Sequence, residues 1–155
     1  MTVVDASALV AALVDSGREG EWAESVVAEG SLAGPELVLV EASNILRRLE
    51  RAGEISRLEA NSAYRDLLRL DMQLFAFAPF AERVWALRNN LTSYDAWYVA
   101  LAEALDCPLV TLDRKLGQSS GPRCEIVVPP RTLLPILQLE PLRPCRKSIR
   151  SFRKS

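Results

Sequence analysis

Thr2-Val3-Val4 is a β-branched run that stops at Asp5, and the apolar residues over 7–14 that follow predict a helix. Trp22, Val26 and Val27 recur at helical spacing within 18–29, and Gly30 ends that element. Pro35 suits the first turn of another helix, reaching about Arg51 and closed by Gly53. Ser56-Arg57-Leu58-Glu59 is a capping box that opens a helix to about Leu70. Residues 72–77 read as a short strand, and Pro79 starts a helix to Asn90. Thr92 or Ser93 caps the next helix, which ends near Leu105 and is apolar on nearly every side, so it belongs in the core. Residues 108–112 and 125–128 read as strands around a helical turn at 114–117. A last helix is expected over 132–139, and no internal repeat is visible.

Strands interleaved with helices predict an α/β fold, a three-layer α/β/α sandwich with a mainly parallel central sheet. The 155 residues suit one domain. Residues 1–131 form that domain, 132–142 a candidate terminal helix, and 143–155 a tail expected to be disordered. In such sheets sites form at the carboxyl ends of strands, which directs attention to acids just after strands and at helix starts.

Composition narrows the chemistry. The chain is 49% hydrophobic and 25% charged, and it contains no histidine. That removes Ser-His-Asp and Cys-His catalysis, histidine-based RNA cleavage and any zinc site needing imidazole. Cys107, Cys124 and Cys145 are far apart, with no C-x-x-C pair, so neither a structural zinc nor a disulfide framework is expected. Cys107 and Cys124 each adjoin an apolar run and read as core or near-core residues. The longest uncharged, mainly apolar stretch, 72–81, is about half a membrane span. With no basic run before Asp5 to suggest a secretory signal, the cytoplasm is the expected compartment.

The near-neutral net charge of −1 conceals an asymmetry. From Arg143 onward the chain carries six bases and no acid, whereas residues 1–142 hold all 20 acids and 13 bases, a body at −7. Such a body does not draw nucleic acid by its overall field, so phosphate binding there must be local or metal-mediated. The basic tail is either a solvated terminus or a contact for RNA or a protein partner.

Four acids could share one place. Asp5 and Asp113 each follow a strand, and each has an ordinary alternative as the cap of the following helix. Ser7 and Thr111 put a hydroxyl two residues from each, able to orient a carboxylate or a water, though both residue types are common in turns. Asp95 lies in the first turn of the apolar helix, favourable there for the dipole alone. On a helical wheel Val38, Ala42, Ile45, Leu46 and Leu49 form an apolar arc. Glu41, Asn44 and Arg48 make a polar ridge at its margin, while Arg47 points elsewhere. That ridge could equally be a solvated boundary patch. If the acids converge, two carboxylates about 5 Å apart repel by roughly 3 kcal/mol at an effective dielectric of 20. Four together strain a domain stable by only about 5–15 kcal/mol, so some take up protons or a divalent cation neutralises them. Hard oxygen ligands without histidine or thiolate favour Mg²⁺ or Mn²⁺. A carboxylate-held Mg²⁺ suits phosphodiester hydrolysis without histidine.

The chain resembles the PIN-domain ribonucleases, specifically the VapC-type toxins of bacterial toxin–antitoxin pairs. The resemblance is carried by Val3-Val4-Asp5-Ala6-Ser7-Ala8-Leu9, Glu41-Ala42-Ser43-Asn44-Ile45-Leu46-Arg47-Arg48, Thr92-Ser93-Tyr94-Asp95-Ala96-Trp97-Tyr98-Val99-Ala100-Leu101-Ala102 and Leu109-Val110-Thr111-Leu112-Asp113-Arg114-Lys115-Leu116. It covers about residues 2–130. It implies that Asp5, Glu41, Asp95 and Asp113 bind Mg²⁺ or Mn²⁺, with Asp5 and Asp95 the most direct ligands. Ser7 and Thr111 would position water or phosphate, with Asn44 in support. The implied reaction is endonucleolytic RNA hydrolysis leaving a 5′-phosphate and a 3′-hydroxyl. Implied partners are a second copy, forming a homodimer, and a cognate VapB-type antitoxin that occludes the site. Arg47, Arg48, Arg114 and Lys115 are candidates for substrate or partner contact, and Trp97 reads as core packing before a base-stacking platform.

Other classes fit less well. A phosphoaspartate phosphatase would want a second acid where Ser7 stands, and a nucleotide-binding enzyme a glycine-rich loop after the first strand. A PIN-like module kept as a non-catalytic binding platform remains as the alternative.

Overall fold

The computed structural model describes residues 1–131, so the helix expected over 132–142, the basic tail and Cys145 lie outside the described residues. Five strands, β1 (Thr2–Val4), β2 (Leu32–Pro35), β3 (Met72–Phe75), β4 (Leu109–Val110) and β5 (Ile126–Val127), form one sheet in the order β3-β2-β1-β4-β5. Every neighbouring pair is parallel. Helices α1 (Ala6–Val14) and α2 (Arg18–Ala28) join β1 to β2, and α3 (Val38–Ala52) and α4 (Arg57–Leu67) join β2 to β3. Helices α5 (Ala81–Ala86) and α6 (Ser93–Leu105) carry the chain back to β4.

The first two crossovers step in one direction along the sheet and the third returns past β1. Right-handed crossovers therefore place α1–α4 on one face and α5–α6 on the other. The packing agrees: α1 meets α2, α3 and α4, while α6 meets α5, β1, β2 and β4. Covered on both sides, Val3, Val4, Ala33, Leu109 and Val110 are fully buried. The reversal lies between β1 and β4, where connections leave toward opposite faces and open a crevice at the carboxyl ends.

Local chemistry sets most boundaries. Asp5 caps α1 by accepting the Ala8 N–H at 3.0 Å, and Thr92 caps α6 by accepting the Asp95 N–H at 3.2 Å. The Ser56–Glu59 capping box is formed in both directions at α4, and Gly53 ends α3 with a φ of 75°. At the α1–α2 corner a Cβ on Gly20 would stand 1.9 Å from the Asp15 carbonyl oxygen, so only glycine fits. Cys107 is buried and Cys124 half-buried, with no disulfide between them; burial pushes the Cys124 thiol up to about 11.

The structure departs from the sequence reading in several elements. Pro35 does not open a helix: it ends β2, the strand between β1 and β3, and α3 begins only at Val38. Gly34 is in that strand because a Cβ there would press on the Val38 side chain at 3.2 Å. β3 stops at Phe75, and a 3-10 turn at Ala78–Phe80 takes up the chain before α5. α5 ends at Ala86 because the following residues tighten into successive turns, with Leu87 N–H shared between the Arg83 and Val84 carbonyls. The helical turn expected at 114–117 is a 3-10 turn at Leu116–Gln118. Among the described residues, no helix is long and apolar enough to cross a membrane.

Candidate active site

Asp5 leaves the end of β1 with its backbone N–H bonded to the Val110 carbonyl at 3.0 Å, so β4 fixes its height at the sheet edge. Its Oδ1 accepts the Ser7 hydroxyl at 2.6 Å and the Ala8 N–H at 3.0 Å, and its Oδ2 accepts the Thr111 hydroxyl. Both hydroxyls are held from behind: Ser7 Oγ accepts the Leu112 N–H at 3.1 Å, and Thr111 Oγ1 accepts the Asp113 N–H at 2.9 Å. Burial pushes the Asp5 carboxyl above its usual range, against the opposing pull of these donors. Oδ2 accepts the Thr111 hydroxyl alone among the side-chain donors of the described residues, which leaves one of its two lone pairs for another partner.

Glu41 projects from the first turn of α3, and its Oε2 accepts the hydroxyl of Tyr98 on α6. Burial raises its pKa, the Tyr98 bond works the other way, and the charges of Asp5 and Asp95 raise it further. Glu41 thus lies within the field of both Asp5 and Asp95. Asp95 Oδ2 accepts the Thr92 hydroxyl at 2.7 Å. Asp113 Oδ1 accepts the N–H groups of Lys115 at 2.8 Å and Leu116 at 3.3 Å. Glu41, Asp95 and Asp113 are thus each steered through one oxygen, while Glu41 Oε1, Asp95 Oδ1 and Asp113 Oδ2 accept no hydrogen bond among the described residues.

Asp5, Glu41, Asp95 and Asp113 line a single cleft of about 380 Å³, together with Ser7, Asn44, Arg47, Arg48 and Tyr98. Neither arginine forms an ion pair with the acids among the described residues. No three His, Cys, Asp or Glu side chains among the described residues close into an ion-sized cage. The donor set still fits a hard divalent cation, since it is all oxygen, desolvated at Asp5 and left with unengaged lone pairs. A larger cavity of about 760 Å³ around Arg83, Glu103, Cys107 and Cys124 contains none of the four acids. Two of its charged groups, Arg83 and Glu103, pair with each other at 2.7 Å.

The PIN domain family model matches residues 2–120. "VapC ribonuclease Mb0985" of Mycobacterium bovis is 40% identical over 131 residues, 84% of this chain and 100% of that relative. The chain belongs to the PIN-domain family, in its VapC branch. "Ribonuclease VapC1" of Mycobacterium tuberculosis is 40% identical over 125 residues, 80% of this chain and 94% of the relative. PAE2754 from Pyrobaculum aerophilum superposes with a TM-score of 0.62 at 28% identity, covering 81% of each chain. VapC20 of M. tuberculosis shares the fold with a TM-score of 0.54 at 17% identity over 70% of this chain and 87% of that one.

Within this PIN domain Asp5 caps α1 through Oδ1 and also lines the cleft, while Asp113 lines the cleft with its Oδ1 accepting N–H groups ahead of the 3-10 turn, whose cap is Lys115. Thr111 is fully buried behind Asp5. Arg47 was expected to point away, but it lines the cleft, its Nε donating to Asn44 Oδ1 at 3.2 Å. Arg114 is drawn off instead: it donates to the Pro129 carbonyl at 2.6 Å and pairs with Glu19 at 3.3 Å. It does not line the cleft, and neither does Lys115. Trp97 packs edge-to-face on Phe77 with ring centroids 5.0 Å apart. The residue missed from sequence is Tyr98, although its position three after Asp95 puts both on one side of α6.

Proposed function

We propose that this VapC-type PIN domain is a toxin endoribonuclease that hydrolyses RNA phosphodiester bonds with a divalent cation, Mg²⁺ or Mn²⁺, in the acidic cleft. The observation that carries the reading is the convergence of Asp5, Glu41, Asp95 and Asp113 on one cleft, each with an oxygen lone pair unengaged. Asp5 and Asp95 are the most direct ligands, with Glu41 and Asp113 completing the set directly or through water. A cation held there would acidify an attacking water and offset charge building on the phosphate. Ser7 and Thr111 hold Asp5 in place for that task, and Thr92 does the same for Asp95. Arg47 and Arg48, exposed and free of ion pairs among the described residues, grip phosphates on either side of the cut, with Asn44 steadying Arg47.

The relatives' names support the RNA-cleaving activity. Partners of this reading are RNA, a VapB-type antitoxin and a second copy of the chain, in the cytoplasm. Leu58 and Tyr64 of α4, with Leu68 at its C-cap, stand exposed and offer apolar surface for a protein partner. The test compares RNA cleavage by wild type, Asp5→Asn and Asp95→Asn with Mg²⁺ or EDTA. Cleavage confined to wild type with Mg²⁺ supports the reading, and equal cleavage in every arm rejects it. RNA binding without cleavage by wild type would favour a non-catalytic module.

A further inference from the structure

Tyr98 is a buried tyrosine, 3% exposed, and its hydroxyl does not end on a backbone carbonyl, as core tyrosines often do. It donates to Glu41 Oε2, a carboxylate of the cleft 57 positions away in sequence. The two residues come from opposite sides of the sheet, Glu41 from α3 and Tyr98 from α6, so the bond crosses the carboxyl edge and ties the helical layers together there. Tyr98 also lies on the same side of α6 as Asp95.

A glutamate tip reaches its position through three rotatable bonds and, unheld, spreads over many rotamers. The donor at Oε2 removes that freedom and leaves Oε1 without a hydrogen bond among the described residues. We propose that Tyr98 is a positioning residue for Glu41: its hydroxyl fixes which carboxylate oxygen is offered to a divalent cation, and holds it in register with Asp95. A phenylalanine would fill the same core volume, so the hydroxyl's contribution is separable from the ring's packing. The inference rests on the cation-dependent reading above.

The experiment titrates Mn²⁺ alone into the full chain, counting free ion by electron paramagnetic resonance, for wild type, Tyr98→Phe, Glu41→Gln and the double variant. Loss of a residue that orients a metal ligand typically weakens binding or activity by about 10–100-fold, so Tyr98→Phe is expected to raise the Mn²⁺ Kd about 10-fold. In RNA cleavage it should lower kcat with KM unchanged. In the Glu41→Gln background the same substitution should add less than about twofold, because its effect passes through Glu41. Wild-type affinity in Tyr98→Phe would overturn the proposal, as would an equal loss in both backgrounds. Tyr98→Phe unfolding where wild type is folded would assign the hydroxyl to stability and also overturn it. Wild type that binds no Mn²⁺ would remove the cation reading and this inference with it. Wild type that binds Mn²⁺ but cuts no RNA would refute the nuclease reading alone, leaving Tyr98 to be judged on the ion affinities.

Discussion

Thr111 is fully buried, and its hydroxyl works in two directions at once, donating to Asp5 Oδ2 and accepting the Asp113 N–H at 2.9 Å. Thr111→Val keeps the branched shape, so packing terms largely cancel and the polar terms remain. A hydrogen bond to a charged group contributes about 1.5–3 kcal/mol, and a buried amide left without an acceptor costs about 1–3 kcal/mol. Asp113 is exposed, and water can reach its amide, so the second term sits at its lower end. The sum is about 2–4 kcal/mol, which for a domain of this size lowers Tm by roughly 5–15 °C.

Thr111→Ser supplies the discriminating control. It loses one methyl, worth about 0.8 kcal/mol, but keeps both hydrogen bonds. Thermal unfolding in EDTA, followed by circular dichroism, should rank wild type above Ser and Ser above Val. Val matching or exceeding Ser would mean that the hydroxyl carries no net stability, and the picture of Asp5 held between Ser7 and Thr111 would fall. With Mg²⁺ and RNA, Thr111→Val should also cut about 10-fold or more slowly than Thr111→Ser, because Asp5 loses its orienting donor.

Burial raises the pKa of both Asp5 and Glu41, so their contribution to the stability of the cation-free protein is complete below about pH 4 and is lost as pH rises through their folded values. Millimolar Mg²⁺ should therefore raise Tm more at pH 7.5 than at pH 5.5, and the rise should shrink in Asp95→Asn; no shift at either pH would count against a preformed site. Glu103 binds Arg83 at 2.7 and 3.0 Å and accepts the Arg123 N–H at 2.8 Å, pinning the loop before β5. Glu103→Ala should cost about 3 kcal/mol, since it strands a partly buried guanidinium, and it should speed hydrogen exchange around Arg123 with kcat unchanged; unaltered exchange would refute that role. Removing 143–155 takes away six bases, and if they contact RNA the salt-dependence slope for a single strand should fall by up to about 4. An unchanged slope would leave the tail without phosphate contacts.

Three of the four acids were legible because they stand at element ends, where sequence speaks locally. Asp5 closes a β-branched run, Asp113 follows another apolar strand, and Asp95 opens a helix so apolar that an acid in its first turn is conspicuous. Glu41 needed only the periodicity of its own helix. β2 was not legible, because Leu32-Ala33-Gly34-Pro35 mixes small residues and a proline whose strand character comes from burial between β1 and β3. The donors were harder again. Tyr98 reads as one more core aromatic until α3 is set across the sheet from α6, and Arg114 turns away for a carbonyl 15 residues further on. Arg47 defied the wheel because a wheel places Cα atoms, whereas a long side chain bends back along its helix to Asn44. Carboxylates that a cation would hold are marked by where chain elements end. The groups that aim them are set by how the layers cross, so substitutions at Tyr98 and Thr111 test the fold's contribution to the chemistry more sharply than removing any acid would.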